Sequence, residues 1–476
     1  MTLLDLFDAA RSERADAPAV NGRSYAGLHA ASLRVARRLH EAGLRAGDRF
    51  ALYCENRLAF VYAYLAGLRL GAVIVPVNVL YRAAELEHVL SDAAVSLVLT
   101  SAGTRPHLAK AGAFGAVDAA AVEAWAMESG EPEPPPVAPG GDDDAAIIYT
   151  SGTTGRSKGA MLSHANLAAN GEALATAWGF TEADVLLHAL PIYHVHGLFI
   201  ALHCVLLRGA AFRWLAKFDE DQVLAALPHS TVMMGVPTFY TRLLADRRFD
   251  RAAAATIRVF ICGSAPLLES TFADFETRAG QRILERYGMS EAAIITTNPL
   301  VGERLAGSVG YPLPGVELRI GEAGLVEIKG PSVTRGYWRN PAKTAEAFTA
   351  DGYFITGDVG RTDPDGRVWL NGRASDLIIS GGLNVYPKEI ELVLDEMAGV
   401  SESAVIGCPH PDFGEAVVAV IAGTGDEAAI IAAARERLAA FKAPKRVFFV
   451  EDLPRNAMGK VEKKALRERF ADAFAG

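Results

Sequence analysis

The run Ala145-Ala146-Ile147-Ile148-Tyr149 passes directly into Thr150-Ser151-Gly152-Thr153-Thr154-Gly155-Arg156-Ser157-Lys158-Gly159. The first five residues are a short apolar block behind an acidic stretch, the pattern of a buried strand. The residues after it are hydroxyl-bearing, glycine or basic. Glycine lets a backbone approach a ligand closely. Hydroxyls and backbone amides donate to phosphate oxygens, and Lys158 adds a positive charge. The composition therefore predicts a polyphosphate cradle between two pieces of regular structure. It is not the GxxxxGK[ST] loop, because Ser157 stands where the second glycine belongs. A merely flexible linker does not suit the position, since a short strand and a helix over residues 164–178 are expected next.

Upstream, helix and strand signals alternate. Residues 26–43 place Leu28, Leu33, Val35, Leu39 and Ala42 near one helical face. Residues 49–53, 72–77 and 96–99 read as strands, and 85–91 as a helix. This alternation predicts an α/β protein with a mainly parallel, helix-covered sheet. Residues 130–144, GEPEPPPVAPGGDDD, combine proline, glycine and acid and read as an exposed connector. The last hundred residues have a pattern of their own: helices over 389–400 and 427–441, with strands SAVIGCP, AVVAVIAG and KRVFFVEDLP. We expect a large N-terminal multi-sheet α/β domain (1–373) and a small mobile α+β domain (374–476), with the boundary near Arg373–Ser375.

Composition narrows the functional classes. The 476 residues are long enough to bury large cores without metal or disulfide support. The net charge of −9, from 47 basic and 56 acidic residues, argues against a general grip on nucleic acid. Cys54, Cys204, Cys262 and Cys408 form no CxxC pair, which fits a reducing, cytoplasmic setting. The N-terminus intersperses acids among its apolar residues and lacks the run of a signal peptide. The apolar segment from Phe60 to Leu80 is interrupted by Arg69 and reads as a buried helix followed by a buried strand, so no membrane association is expected.

The loop YTSGTTGRSKGAMLSH (149–164) resembles the phosphate loop of the adenylate-forming superfamily of acyl-CoA synthetases, peptide-synthetase adenylation domains and luciferases. CGSAPL (262–267), ERYGMSE (285–291 with its preceding strand), GYFITGDVG (352–360), GRASDLIISGGLNVYPKEIE (372–391) and PRNAMGK (454–460) follow in the superfamily's order. The resemblance spans residues 10 to 470. It implies ATP, Mg2+ and CoA as cofactor and co-substrates, and AMP and pyrophosphate as products. Thr150, Ser151, Gly152, Thr153, Thr154, Gly155 and Lys158 would hold the phosphates. Ser264, Ala265, Pro266 and the strand Glu285, Arg286, Tyr287, Gly288, Met289, Ser290 would meet the nucleotide. Glu291, assisted by Thr153, would hold the metal. Asp358 and Arg373 would meet the ribose and phosphate. Lys460 would enter from the small domain and stabilise charge as the carboxylate attacks phosphorus. Gly381, Gly382 and Leu383 would line the pantetheine tunnel after a domain rotation. The hinge position, often Lys or Asp in the superfamily, is Ser375 here.

The acid pocket carries the substrate information. By resemblance His194, in PIYHVHGLF (191–199), gates the pocket, and two histidines at i, i+2 without a Cys or carboxylate set do not make a familiar metal site. Arg286 falls beside the acid. A buried, unpaired guanidinium is costly, and a second substrate carboxylate is its natural bidentate partner. With MGVPTFYTRLL (234–244) and GERLAGSVGYPLPGVELR (302–319), these stretches resemble malonyl-CoA synthetases. Val195 replaces that group's frequent Thr, and Ile294 lies in a run that departs from its usual Met-Asn-Thr-Ser. Both make the pocket more apolar, so methylmalonate or another small 2-substituted malonate is as credible as malonate. The acid pocket is thus assigned His194, Val195, Ser264, Arg286 and Ile294. An amino-acid adenylation domain is disfavoured, because residues 185–218 contain no Asp to hold an amine. A ligase for another short acid and a non-catalytic nucleotide-binding homologue stay open, as does a monomeric or small homo-oligomeric state.

Overall fold

The computed structural model describes residues 2–130, 137, 139–150, 157–381, 383–456 and 459–474. Among them, the first part of the chain builds two sheets and the last part a third. One sheet has six strands in the order Ala116–Asp118, Val95–Thr100, Arg49–Tyr53, Val73–Pro76, Asp144–Thr150, Lys158–Ser163. It is parallel except for its last pair, which pairs Thr150 with Lys158 in an antiparallel hairpin. In sequence, the stretch expected to hold phosphate joins these two strands, and residues 151–156 of it fall outside the described residues.

The second sheet runs through 13 strands. Pro18–Val20, Ala211–Trp214, Val185–His188, Val232–Gly235, Val259–Cys262 and Leu284–Met289 form its parallel part. From Leu284–Met289 onward, through Ala293–Thr297, Ser308–Pro312, Val368–Arg373, Phe354–Thr362, Leu325–Lys329 and Glu317–Ile320, every pairing is antiparallel. The expectation of a mainly parallel sheet thus holds for only part of it. The physical reason is connection length: residues 290–292 join two of these strands, far fewer than a parallel crossover needs.

Helices Tyr25–Glu41 and Leu58–Arg69 and the π-helix His196–Leu202 carry the apolar face that covers both sheets. The segment from Phe60 to Leu80 is the buried helix and strand read from sequence, and no described helix is long and apolar enough to cross a membrane. The four cysteines are buried and unpaired.

The C-terminal sheet orders Leu383–Val385, Ile378–Ser380, Gly414–Gly423 and Val400–His410, with Arg446–Val450 parallel to Gly414–Gly423. Its apolar clusters draw only on residues from Ile378 onward. The helix expected over 389–400 spans Pro387–Asp395 instead. Proline at its first turn starts it early, the helix is capped at Glu396, and Gly399 at φ +84° turns the chain into the strand that opens at Val400. The helix expected over 427–441 stops at Arg437, where Leu438 turns extended.

Candidate active site

The stretch expected to hold phosphate is flanked by the hairpin strands Asp144–Thr150 and Lys158–Ser163. Ser151, Gly152, Thr153, Thr154 and Gly155 fall outside the described residues. Lys158 sits with its ammonium 4.9 Å above the Tyr337 ring, and the Tyr337 hydroxyl donates to Glu291 Oε1 at 3.1 Å. Glu291 is buried, and burial raises its pKa against the pull of Tyr337, Arg373 and Lys158. A three-residue connection between the strands Leu284–Met289 and Ala293–Thr297 carries this carboxylate at their shared end. Among the described residues no cluster of three or more His, Cys, Asp or Glu side chains stands ready for a metal. Glu291 alone suits an ion that takes most of its ligands from phosphate and water.

At the nucleotide end, the antiparallel pair Phe354–Thr362/Val368–Arg373 sets Asp358 opposite Arg373. Arg373 Nε lies 2.7 Å from Asp358 Oδ1, and the Tyr287 hydroxyl donates to Asp358 Oδ2. Asp358 is buried, with a pKa raised by burial. Gly288, Met289 and Ser290 are half-buried, as is Ala265, and Pro266 is exposed. Lys460 is exposed as a residue, while its ammonium lies close enough to this group to feel its charges. Surrounding protein and the Arg373 guanidinium hold its pKa below the usual lysine value, against Asp358 and Glu291, with Arg286 adding to the repulsion. The structure therefore brings Lys460, Asp358, Arg373, Glu291 and Arg286 into one electrostatic neighbourhood.

The residues expected at the acid end are placed by a strand-end turn and a π-helix. Strand Val259–Cys262 ends in a turn in which Ser264 adopts φ +72°. That conformation costs a non-glycine residue on the order of 1–2 kcal/mol. It brings Ser264 Oγ to 3.2 Å from His196 Nδ1. His196 opens the π-helix His196–Leu202, a rare geometry often found at functional sites. Its backbone N–H donates to His194 Nδ1 at 3.2 Å. Burial and the Lys460 and Arg286 cations push the His194 imidazole down to about 3, so it is neutral at physiological pH. His196 is held neutral by burial too, and its Nε2 has no hydrogen-bond partner among the described residues.

Arg286 is only 4% exposed, on the strand Leu284–Met289. Its guanidinium lies against the bare Cα of Gly263, where a Cβ would come within 2.7 Å of Cζ and Nε. Nε and Nη2 are buried and make no hydrogen bond with any described residue. Burial lowers the Arg286 pKa to about 10, which still leaves a full cation at neutral pH. The adjacent Glu285 does not supply the counter-charge, since burial pushes its carboxyl up to about 8 and keeps it protonated. Val195 and Ile294 are buried and belong to one apolar cluster, because strand Ala293–Thr297 packs on the π-helix.

The residues expected to line the CoA tunnel sit elsewhere. Gly381, at φ +58°, and Leu383, half exposed, form the tip of an outer hairpin with Ile379 and Phe413 beside it. Gly382 falls outside the described residues. Ser375 is exposed in the short turn Ala374–Asp376. Sequence reading missed His196, Gly263 and Tyr337. The HVH spacing pointed to His196, whereas no local signal linked Tyr337 to Glu291, 46 residues away.

Comparison with known proteins follows the same outline. A family model described as AMP-binding enzyme matches residues 6–338, and one described as AMP-binding enzyme C-terminal domain matches 389–460. A malonate–CoA ligase of Arabidopsis thaliana is 35% identical, covering 98% of this chain and 89% of the relative. The ATP-bound crystal structure of MatB from Rhodopseudomonas palustris superposes with a TM-score of 0.94 at 45% identity, over 100% of both chains. A malonyl-CoA ligase ternary product complex with methylmalonyl-CoA and AMP gives 0.69 at 36% identity, over 92% of this chain and 97% of that one.

Proposed function

Because the chain belongs to the AMP-binding enzyme family, we propose that it ligates malonate, or a small 2-substituted malonate such as methylmalonate, to CoA through an acyl-adenylate. The observation that carries the choice of acid is Arg286: a buried cation with two N–H-bearing nitrogens that no described residue engages. A distal carboxylate bound bidentately supplies both the charge and the acceptors it lacks. The malonate and methylmalonyl names of the relatives point the same way.

In this reading the polyphosphate of ATP lies along the loop after Thr150, against Lys158. Glu291, with Thr153, holds Mg2+, which neutralises phosphate charge when bound. Asp358, oriented by Tyr287 and Arg373, accepts from the ribose hydroxyls. The segment Ser264–Ala265–Pro266 and the strand from Glu285 to Ser290 flank the base. Arg286 fixes the far end of the diacid, so its near carboxylate is presented to the α-phosphorus. An oxygen of that carboxylate forms the new P–O bond, and the bond to pyrophosphate breaks. Lys460 donates to the charge that develops, and the neutral His194 lets the substrate anion approach without protonating it. The C-terminal domain then turns about Arg373–Ser375 and brings Gly381, Gly382 and Leu383 to the pantetheine. The CoA thiolate attacks the acyl carbon, and AMP leaves. The buried, unpaired cysteines suit a cytoplasmic setting.

The test is AMP formation with CoA and malonate, methylmalonate, succinate, acetate or a medium-chain acid. Malonate or methylmalonate should lead, with acetate far behind. Arg286→Ala should lower kcat/KM for the diacid by about 100-fold or more while acetate turnover changes little. A fatty-acid preference, or diacid selectivity that survives Arg286→Ala, overturns the assignment.

A further inference from the structure

Lys460 can act only if its loop is held at the right depth in the cleft, and the loop has a visible brace. Arg455 and Val461 pair across its base. Inside, Asn456 N–H donates to Lys460 O at 2.9 Å, Gly459 N–H to Asn456 O at 2.9 Å, and Lys460 N–H to Asn456 Oδ1 at 3.1 Å. Gly459 adopts φ +74°, and a Cβ added there would come to 3.6 Å from Thr238 on the helix Pro237–Ala245 of the N-terminal part. The carbonyl of Gly459 accepts from Arg455 Nη1 at 2.6 Å. The other arm of the same guanidinium, Nη2, pairs with Glu402 on the long strand Val400–His410. One side chain therefore ties the peptide bond next to Lys460 to the sheet of the C-terminal domain.

We propose that the Glu402–Arg455 ion pair positions the Lys460 loop for adenylation and has no part in thioester formation. The inference rests on the reading of Lys460 as the adenylation lysine. The two side chains keep 32% and 27% of their surface in water, so solvent still screens the pair and holds its contribution to fold stability low. Geometry is affected far more, because a misplacement of about 1 Å in a reacting group can cost about 100-fold in rate. Glu402 otherwise faces Lys388 and Glu391, so Arg455 is the partner that reaches the loop.

The experiment compares Glu402→Gln, Arg455→Met, Arg455→Lys and Lys460→Ala in separate half-reactions. Adenylation is read as malonate-dependent ATP–pyrophosphate exchange, thioester formation as CoA consumption from supplied malonyl-adenylate, and folding as thermal midpoint. We expect Glu402→Gln and Arg455→Met to lower the adenylation kcat about 10- to 100-fold, with KM values and thermal midpoint nearly unchanged. Thioester formation should stay within about twofold, and Arg455→Lys should recover part of the loss. In a Lys460→Ala background, Glu402→Gln should add nothing further. If Lys460→Ala abolishes adenylation and Glu402→Gln leaves it intact, or if both half-reactions fall together in Glu402→Gln, the brace is wrong. If Lys460→Ala itself leaves adenylation intact, the underlying reading of the lysine fails instead.

Discussion

Gly263 is small so that Arg286 can lie flat. A methyl group added there would overlap the guanidinium carbon and Nε, and the cation would have to move. Gly263→Ala should therefore lower kcat/KM for malonate more than for acetate, and a competition assay with both acids reads the ratio directly. Equal losses would mean that the methyl disturbs the nucleotide side of the turn. The neighbouring Glu285 makes a separate prediction about pH. Its carboxyl is pushed from 4.5 to about 8 by burial. Below about pH 4.5 folded and unfolded chains both carry the proton, and burial costs nothing through ionisation. Between about 4.5 and 8 only the unfolded chain ionises, so this group's contribution is lost as pH rises, on the order of 5 kcal/mol by the upper end. Urea unfolding of Glu285→Gln from pH 5 to 8 should be flatter than that of the parent chain, and parallel profiles would show that the carboxyl is ionised in the fold.

At the scale of elements, the residues proposed for the acid pocket lie where a π-helix meets an interior strand. Helix His196–Leu202 brings His196 to Ser264, and strand Ala293–Thr297 packs Ile294 into the apolar cluster that holds Val195. Neither element reads cleanly from local pattern. The segment HGLFIAL has no polar face to reveal its winding, and AIITT resembles a parallel core strand although both its neighbours are antiparallel. Ile294→Ala removes a nearly fully buried side chain. It should cost about 2–4 kcal/mol of stability by urea unfolding. It should also raise the turnover ratio of ethylmalonate to malonate, as a wall of the pocket recedes. Stability loss with an unchanged ratio would place Ile294 behind the pocket and not in it.

At the scale of the whole molecule, two parts of the chain complete one site. Lys460 comes from the last residues and meets Asp358, Glu291 and Arg286 from well before them. The turn Ala374–Asp376 lies between, and Asp376 is tied to Arg467 of the final helix. If the C-terminal domain must rotate about this turn between half-reactions, Ser375→Pro should spare ATP–pyrophosphate exchange and slow thioester formation by about tenfold or more, because proline restricts the backbone torsion there. Loss of exchange with thioester formation retained would put the hinge elsewhere. The outer hairpin bearing Leu383 and the neighbouring Phe413 expose apolar side chains in the present arrangement, as expected of a face that is used only after such a turn.

Several features were decided locally and were legible in the chain alone. The strand that leads into a Gly/Ser/Thr/Lys stretch, the alternation of helix and strand before it, and the Arg286 beside Tyr287-Gly288 all depend on residues adjacent in sequence. Short-range chemistry is enough to specify them. The antiparallel half of the large sheet, the bare Gly263 beneath a guanidinium, the hydroxyl of Tyr337 on Glu291 and the Glu402–Arg455 brace depend on partners brought together from distant positions. Their energies come from burial and from distances of a few ångströms. Only the folded packing sets those, and it is packing that leaves Nε and Nη2 of Arg286 without a hydrogen bond to any described residue.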